Sequence, residues 1–331
     1  MYYLSIINIL SNEEMIFYLC LMKKSIFCIG SALIDELYFC HENIIPETSN
    51  PATLQKNVGG VISNISQHLA LFDYDINYLT VIGNDIEGNW IEDEFIKKGI
   101  NINHSLKVND PTGRYVSILN MDGSLFTAAC VDICPKYCTP DFLETKRETI
   151  HAAELIITDT NIEIESLQWL IDLSNKQNIP LIIEPVSVVK ARKISKLNMN
   201  AVFMVTPNED ELPSLCIEHH TNEKDSIKEL LDRGIKFIWV RKGDKGSTIY
   251  SKEHTIELHA PKIKIIDSTG AGDAALAGWI CGFLEKENPN DCLKLGHTLA
   301  LEVLQIKGAV KNNINKNILF ETVKKYYPNA Q

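Results

Sequence analysis

Short apolar runs alternate along the chain with longer segments in which apolar residues recur every three or four positions. Ser25–Gly30, Pro180–Glu184 and Phe237–Arg241 are short and apolar, which is typical of buried strands. Asp85–Lys98 and Glu163–Gln177 instead place their apolar residues at helical spacing. Strands that alternate with helices predict a mostly parallel sheet covered on both faces, and therefore a three-layer α/β/α sandwich.

Two segments break this alternation. Leu37–Val58 is mostly extended, while Arg114–Asn120 and Leu125–Ala128 flank the turn signal Asp122-Gly123, which predicts a β-hairpin. We therefore expect a small β lid, built from about residues 36–58 and 110–130, that projects from the single domain of residues 23–331. An exposed lid has free strand edges, so we expect two lids to pair in a homodimer.

Residues 1–22 stand apart from this pattern. Their apolar run, Met15–Leu21, is too short to span a bilayer. The segment also lacks the basic start and small-residue cleavage site of a signal peptide. Met22 then leads directly into the first strand. Two interpretations stay open: Met22 is the functional start, or residues 1–22 form a poorly ordered extension.

Composition narrows the function classes. The 331 residues are 45% hydrophobic and 23% charged, which is typical of a globular protein with a large core. The net charge of −11 argues against a nucleic-acid-binding surface, which needs clustered Lys and Arg. It leaves a small anionic substrate open, because a site can be locally positive.

The nine cysteines are odd in number and scattered through apolar segments, which favours reduced thiols and a cytoplasmic location. Cys130, Cys134 and Cys138 are four residues apart, but Pro135 and Pro140 oppose a regular helix there. Three thiols without a fourth ligand make a poor structural zinc site, so free thiols are the better interpretation.

The strongest chemical signal lies near the C-terminus. The sequence Asp267–Asp273 joins a strand-like segment, Ile263–Ile266, to a predicted helix over Ala271–Leu284. Glycines at such a junction leave backbone N–H groups free, and the helix start adds partial positive charge, which together suit a phosphoryl group in transfer. Helix capping alone is the simpler alternative. The candidate anion site and general base are Gly270, Ala271, Gly272 and Asp273.

Two upstream motifs favour a polyhydroxylated ligand. Gly59 and Gly60 open a predicted helix and allow close approach, and Asn64, one turn later, can bond a sugar hydroxyl. Asp35 follows the first strand at the carboxyl edge of the sheet, where it can bind vicinal hydroxyls. A loop–helix start and a surface acid are the simpler interpretations of these motifs.

Two further segments carry polar or basic residues just after predicted strands. Asn208 and Glu211 lie three residues apart at a predicted helix start and share a face, as helix-capping residues also do. Lys242, Gly243 and Gly246 follow a strand and could line phosphates, although a hairpin turn with solvated lysines would look the same.

Taken together, these motifs are similar to the signatures of the ribokinase-like (PfkB) carbohydrate and nucleoside kinases, over about residues 25–310. The resemblance implies the ribokinase-like fold, phosphoryl transfer from ATP with Mg²⁺, and K⁺ as a further cation to consider. It implies Asp273 as the base and a small-molecule partner. It also implies that the sugar is held by Asp35, Gly59, Gly60 and Asn64, Mg²⁺ through water by Asn208 and Glu211, and the nucleotide by Asn208, Lys242, Gly243, Gly246, Thr269 and Gly308.

Residues between the signatures narrow the substrate. Asp132 follows the lid, Asp159 and Asn161 end one strand, and Glu184 ends the next. Within the family they resemble the members that phosphorylate pseudouridine, with Glu184 in place of an Asp. This implies that Asp132, Asp159 and Asn161 bind substrate and that the 5′-hydroxyl of pseudouridine is the acceptor. Kinases of ribose, inosine, adenosine or a hexose derivative, and a non-catalytic sensor, stay open as alternatives.

Overall fold

The computed structural model describes residues 23–328, so the expectation for residues 1–22 lies outside the described part of the chain. The strands are β1 (Ser25–Ile29), β2 (Leu33–Cys40), β3 (Ala52–Gly59), β4 (Asp75–Leu79), β5 (Val81–Gly83), β6 (Leu106–Val108), β7 (Arg114–Leu119), β8 (Leu125–Val131), β9 (Leu155–Asp159), β10 (Leu181–Glu184), β11 (Met204–Val205), β12 (Phe237–Arg241), β13 (Ser247–Tyr250) and β14 (Thr255–Leu258).

The α-helices alternate with these strands. They are α1 (Val61–Leu71), α2 (Ile86–Lys97), α3 (Cys134–Tyr137), α4 (Pro140–Glu144), α5 (Arg147–His151), α6 (Ile164–Gln177), α7 (Val188–Ala191), α8 (Glu223–Asp232), α9 (Ala271–Leu284), α10 (Pro289–Val303) and α11 (Lys316–Tyr326).

Within the described residues, a central sheet runs in the order β14-β13-β12-β11-β10-β9-β1-β4. Every pairing from β12 to β4 is parallel, while β13 and β14 add an antiparallel edge. Helices cover both faces because successive residues of a buried strand point to opposite sides. In β1, Ile26 and Cys28 enter one apolar core with α1, α9 and α10, whereas Phe27 and Ile29 enter the other with α6 and α8. The predicted three-layer α/β/α fold is confirmed.

Two local predictions were wrong. Ile263–Ile266 forms no strand; it is a largely exposed connection whose end is tied to α10 by a hydrogen bond of 2.8 Å from the Ile266 N–H to the Leu304 carbonyl. Its apolar residues therefore do not add to the sheet. Glu211 does not open an α-helix but precedes a single 3₁₀ turn, Leu212–Leu215.

A second sheet, ordered β3-β2-β7-β8, stands beside the main one. β7 and β8 form the predicted antiparallel hairpin, and β2 joins β7 in parallel. Asp35 lies opposite Asn57 on β3 and Tyr115 on β7, so its position in the ladder puts it at the base of this lid. Every residue of β8 is exposed, and β8 is an edge strand.

Candidate functional site

Six parallel strands end at the same edge of the central sheet, and several of the candidate residues are at those ends. Asp159, Glu184 and Arg241 are the last residues of β9, β10 and β12. Asn208 follows β11 and bridges to Arg241. Since the carboxyl ends of parallel strands form one face, these side chains surround a common cleft.

Asp273 lies in the first turn of α9, in contact with α1. The side-chain amide of Asn64 donates a hydrogen bond of 2.8 Å to its carboxylate. Burial raises the pKa of Asp273 to about 7, and the nearby charges of Glu184 and Asp35 add to the rise, while Asn64 and Arg241 oppose it. A helix start favours an ionised carboxylate, but the desolvation of Asp273 outweighs this effect.

The loop Asp267–Gly270, which leads into the candidate anion site, is held in place by two sets of contacts. Gly270 has a φ of 73°, which favours glycine, and a Cβ built there would lie 2.5 Å from Ala309. Asp267 accepts hydrogen bonds of 2.9 Å from the N–H groups of Thr269 and Gly308. Thr269 and Gly308, separate in sequence, are therefore brought together beside the start of α9.

Asp35 and Gly59 face each other at the mouth of the cleft. A Cβ built on Gly59 would lie 2.1 Å from the Asp35 carboxyl group, so a larger residue there would displace this carboxyl group. Burial raises the pKa of Asp35 to about 6. Among residues 23–328 no side chain or backbone group donates a hydrogen bond to this carboxylate, which leaves both oxygens for hydroxyls of a ligand. Gly60, next in the chain, opens α1.

A linked polar group lies at the ends of β9 and β10. Asp159 is fully buried and accepts hydrogen bonds from the backbone and side-chain nitrogens of Asn161, at 2.9 and 2.7 Å. The ammonium of Lys190, on α7, donates in turn to the Asn161 amide oxygen. Asp159 thus orients Asn161, and Asn161 orients Lys190, a residue that the sequence analysis missed.

Asp132 faces the same side of the cleft. Its carboxylate accepts hydrogen bonds from the Ser31 hydroxyl at 2.5 Å and from the Cys134 backbone N–H at 2.9 Å. Ser31 follows β1, so this contact ties the end of the lid to the central sheet.

Glu184 and Arg241 form a buried ion pair. Arg241 Nη2 donates to Glu184 Oε1 at 2.6 Å, and Thr206 donates to the other carboxylate oxygen. A Cβ built on Gly272 would lie 2.9 Å from Arg241 Nη1, so the guanidinium lies against the start of α9. The sequence analysis did not select Arg241; a basic residue at the end of a predicted parallel strand was the available signal.

Asn208 and Glu211 cap each other. The Asn208 N–H donates to Glu211 at 3.0 Å, and the Glu211 N–H donates to the Asn208 amide oxygen at 2.8 Å. Glu211 is buried, which raises its pKa, and one carboxylate oxygen is left over. The two residues therefore act as the helix-capping pair that the sequence left open as an alternative. The remaining oxygen is compatible with an outer-sphere role toward Mg²⁺, which keeps several of its waters.

The predicted nucleotide loop is a turn between β12 and β13. Lys242 forms an ion pair of 2.9 Å with Glu223 and does not extend freely toward the cleft. Gly243 begins a 3₁₀ turn, and a Cβ built on Gly246 would lie 2.0 Å from the Leu258 carbonyl. The geometry of the turn between β12 and β13 is thus sufficient to explain Gly243 and Gly246, without a nucleotide.

Cysteines in the described residues are free thiols. Cys130 is exposed on β8, while Cys134 and Cys138 flank the short α3, so the three do not share one helix.

The sequence analysis missed a second cluster, in which the side-chain ligand atoms of Cys216, His220 and Glu229 lie within 4.8 Å of one another. Glu229 already accepts hydrogen bonds from His220 and from the N–H groups of Ile217 and Glu218. The cluster therefore anchors the loop that precedes α8.

None of the helices between residues 23 and 328 combines the length and the apolar character needed to cross a membrane.

Comparison with known proteins agrees with this geometry. The model of the pfkB family of carbohydrate kinases matches residues 23–316. The pseudouridine kinase of Escherichia coli (strain K12) is 30% identical over 271 residues, covering 78% of this chain and 85% of its own. YeiI, an uncharacterized sugar kinase of the same organism, is 28% identical over 271 residues, covering 80% of this chain and 73% of its own.

Solved structures show the same fold. A carbohydrate kinase from Agrobacterium tumefaciens superposes with a TM-score of 0.80 at 24% identity, covering 92% of this chain and 98% of its own. A ribokinase from Arabidopsis thaliana, complexed with ribose and ATP, gives a TM-score of 0.79 at 21% identity, covering 92% and 99%.

Proposed function

Because the chain belongs to the PfkB family of carbohydrate kinases, we propose that it transfers the γ-phosphate of ATP to the 5′-hydroxyl of pseudouridine, giving pseudouridine 5′-phosphate and ADP. Membership of the family itself indicates an ATP-dependent phosphotransferase that acts on a hydroxyl group of a small sugar or nucleoside. The position of Asp273 supports a catalytic role. It lies at the start of α9, accepts a hydrogen bond from Asn64, and is close enough to Asp35 for the charge of that carboxylate to act on it.

Asp273 acts as the general base in this proposal. Its carboxylate accepts the proton of the attacking hydroxyl while the new oxygen–phosphorus bond forms and the bond to the bridging oxygen of ADP breaks. A pKa of about 7 suits this task, because a base near the working pH is both available and strong enough to take the proton. The N–H groups of Gly270, Gly272 and Asp273 receive the charge of the transferring group. The N–H of Ala271 is excluded from this set, because it donates to the Ser268 carbonyl at 3.3 Å.

The sugar side uses Asp35 and Asn64. Asp35, with both oxygens available, accepts two neighbouring hydroxyls of the ribose, and Gly59 leaves room for the ring to approach. Asn64 donates its amide hydrogen to Asp273, so its amide oxygen stays available to accept a hydroxyl. Asp35 is on lid strand β2 and Gly59 ends lid strand β3, so the lid is proposed to cover the sugar, exclude water and limit ATP hydrolysis.

Asn161, Lys190 and Asp132 favour a nucleoside over a simple sugar. Pseudouridine carries its uracil through carbon, so its ring presents two N–H donors and two carbonyl acceptors. Lys190 can donate to a carbonyl, and Asp132 can accept an N–H. Asp159, being fully buried and saturated by Asn161, is proposed to hold that group in place rather than to contact the ligand.

Mg²⁺ would be held through water by Asn208 and Glu211, the latter through its remaining carboxylate oxygen. When bound, the ion neutralises charge on the ATP phosphates. Thr269 and Gly308, joined through Asp267, are proposed to border the nucleotide, with Gly243 and Gly246 shaping the neighbouring turn.

An ADP-release assay over pseudouridine, uridine, inosine, adenosine, ribose and fructose 6-phosphate tests the proposal, with mass spectrometry of the product. We expect the highest kcat/KM for pseudouridine. We also expect Asp273→Asn to lower kcat by at least about a hundredfold while nucleoside binding stays near normal. A higher kcat/KM for another acceptor would assign a different kinase of the family. Tight binding without any turnover would favour a sensor.

A further inference from the structure

We propose that Arg241 is a catalytic residue of the anion site, whose guanidinium binds the γ-phosphoryl group of ATP beside the N–H groups of the α9 start. The inference rests on the proposed kinase activity and adds a side chain that the family motifs in this sequence do not include. Its basis is the position of one buried cation between three carboxylates and the first turn of α9.

The guanidinium lies against the anion loop. A Cβ built on Gly272 would approach Arg241 Nη1 to 2.9 Å, so Nη1 lies directly over the Gly272 backbone. The same guanidinium is close enough to Asp273 and Glu211 for their charges to act on it. Arg241 is therefore near both the proposed base and the proposed metal-binding residue.

Only one of the guanidinium nitrogens donates a hydrogen bond within the described residues. Nη2 donates to Glu184 at 2.6 Å, and among residues 23–328 no other group accepts a hydrogen bond from the Arg241 side chain. A guanidinium carries five N–H donors in a planar fork, so several donors face the cleft without a partner. Within residues 23–328 none of these guanidinium nitrogens is both sealed from solvent and unpaired, so a phosphoryl oxygen that enters the site can replace water as their acceptor. The side chain is 16% exposed, which leaves it accessible from the cleft.

Glu184 is the positioning residue. Its carboxylate is held by Thr206 on one oxygen and by Arg241 on the other. This contact holds the Nη2 side of the guanidinium, while Nη1 lies against the start of α9. A planar fork can bond two phosphoryl oxygens at once, which an ammonium group cannot do with the same geometry.

Adding Arg241 does not change which bonds form and break in the phosphoryl transfer. The acceptor oxygen forms a bond to the γ-phosphorus, the bond to the bridging oxygen of ADP breaks, and Asp273 takes the proton. Arg241 contributes charge at the oxygens of the group in transfer. Its contacts require a γ-phosphate, so they discriminate ATP from ADP.

Nucleotide binding and turnover of the full chain test this role. We expect Arg241→Ala to weaken binding of the ATP analogue AMP-PNP by about tenfold or more, while ADP binding changes less than about threefold. We expect kcat to fall by about 10²–10³-fold. Guanidinium ion added to this variant should restore part of kcat, and Arg241→Lys should retain more activity than Arg241→Ala. Arg147→Ala, which removes a surface arginine of α5 that pairs with Glu144, is the matched control and should match the wild type.

Three outcomes would overturn the role. Equal loss of AMP-PNP and ADP binding together with a lower melting temperature would make Arg241 a structural residue. Unchanged AMP-PNP binding and a kcat within about threefold of wild type would remove it from the anion site. Wild-type protein that binds neither nucleotide would refute both this inference and the kinase activity. A wild type that binds both nucleotides but does not phosphorylate pseudouridine would refute only the substrate, and AMP-PNP binding would still decide the role of Arg241.

Discussion

Asn64 on α1 donates a hydrogen bond of 2.8 Å to Asp273 on α9, and this contact joins the proposed sugar side of the cleft to its base. The bond stabilises the ionised carboxylate and so lowers its pKa against the effect of burial. The residue that we expected only to bind a hydroxyl therefore also adjusts the acidity of the base.

Removing that bond should make the base harder to ionise. We expect Asn64→Ala to move the acid limb of the pH–rate profile upward by about one pH unit, besides lowering kcat/KM. The measurement is kcat/KM for the best acceptor from pH 5.5 to 9. Gln67→Ala, one turn further along α1, is the control. An acid limb at the wild-type position would show that Asn64 does not act through Asp273.

The wild-type pH profile should itself report the burial of Asp273. Its pKa is raised to about 7, and only the ionised form can accept a proton. We therefore expect kcat/KM to fall tenfold per unit as the pH drops below about 7, and to be level above it. Rates measured with saturating ATP and limiting acceptor check this. A profile that stays level down to pH 5 would contradict the raised pKa.

Much of this arrangement could be predicted from sequence, because strand–helix alternation and glycine-rich junctions are local signals. The pKa of Asp273 could not, since its helix-start position suggests an ionised acid and only three-dimensional packing shows the burial. The approach of Arg241 to Gly272 depends on which strand ends lie beside α9. Ile263–Ile266 has the apolar residues of a strand, but its backbone bonds to α10. Lys190 becomes notable only through its contact with Asn161.

Stability should depend on pH through the same carboxylate. In the folded chain the pKa of Asp273 is about 7, whereas an unfolded Asp titrates near about 3.9. The folded state therefore holds this proton more tightly, and ionisation destabilises it increasingly as the pH rises from about 4 to about 7. We expect Asp273→Asn to be more stable than wild type at pH 8.5 by roughly 1–3 kcal/mol, and closer to it at pH 4.5.

Urea unfolding of both proteins at the two pH values measures this difference. Asp172→Asn, on the exposed face of α6, is the control and should change the free energy of unfolding equally at both values. A stability gain for Asp273→Asn that is larger at pH 4.5 than at pH 8.5 would reverse the predicted sign and contradict the argument.

Different substitutions should impair recognition of the ribose and recognition of the uracil ring. Asp35→Ala removes the carboxylate proposed to hold the ribose, so kcat/KM should fall by about 10–100-fold for pseudouridine and uridine alike. Asn161→Ala releases Lys190 and should lower pseudouridine turnover more than that of ribose. The ratio of kcat/KM values for the three acceptors is the readout. Equal losses on all acceptors for Asn161→Ala would remove it from base recognition.

The lid should carry the dimer contact. Strand β8 is an edge strand exposed along its whole length, and Leu125, Phe126 and Val131 are each more than half exposed. Such an edge pairs readily with a second copy, because its backbone groups and apolar side chains gain partners together. We expect a dimer by light scattering at micromolar concentration and a monomer for Phe126→Lys. Ile217→Lys, at an exposed apolar position outside the lid strands, should stay dimeric. A wild-type monomer, or a dimer that Phe126→Lys leaves intact, would place the contact elsewhere or remove it.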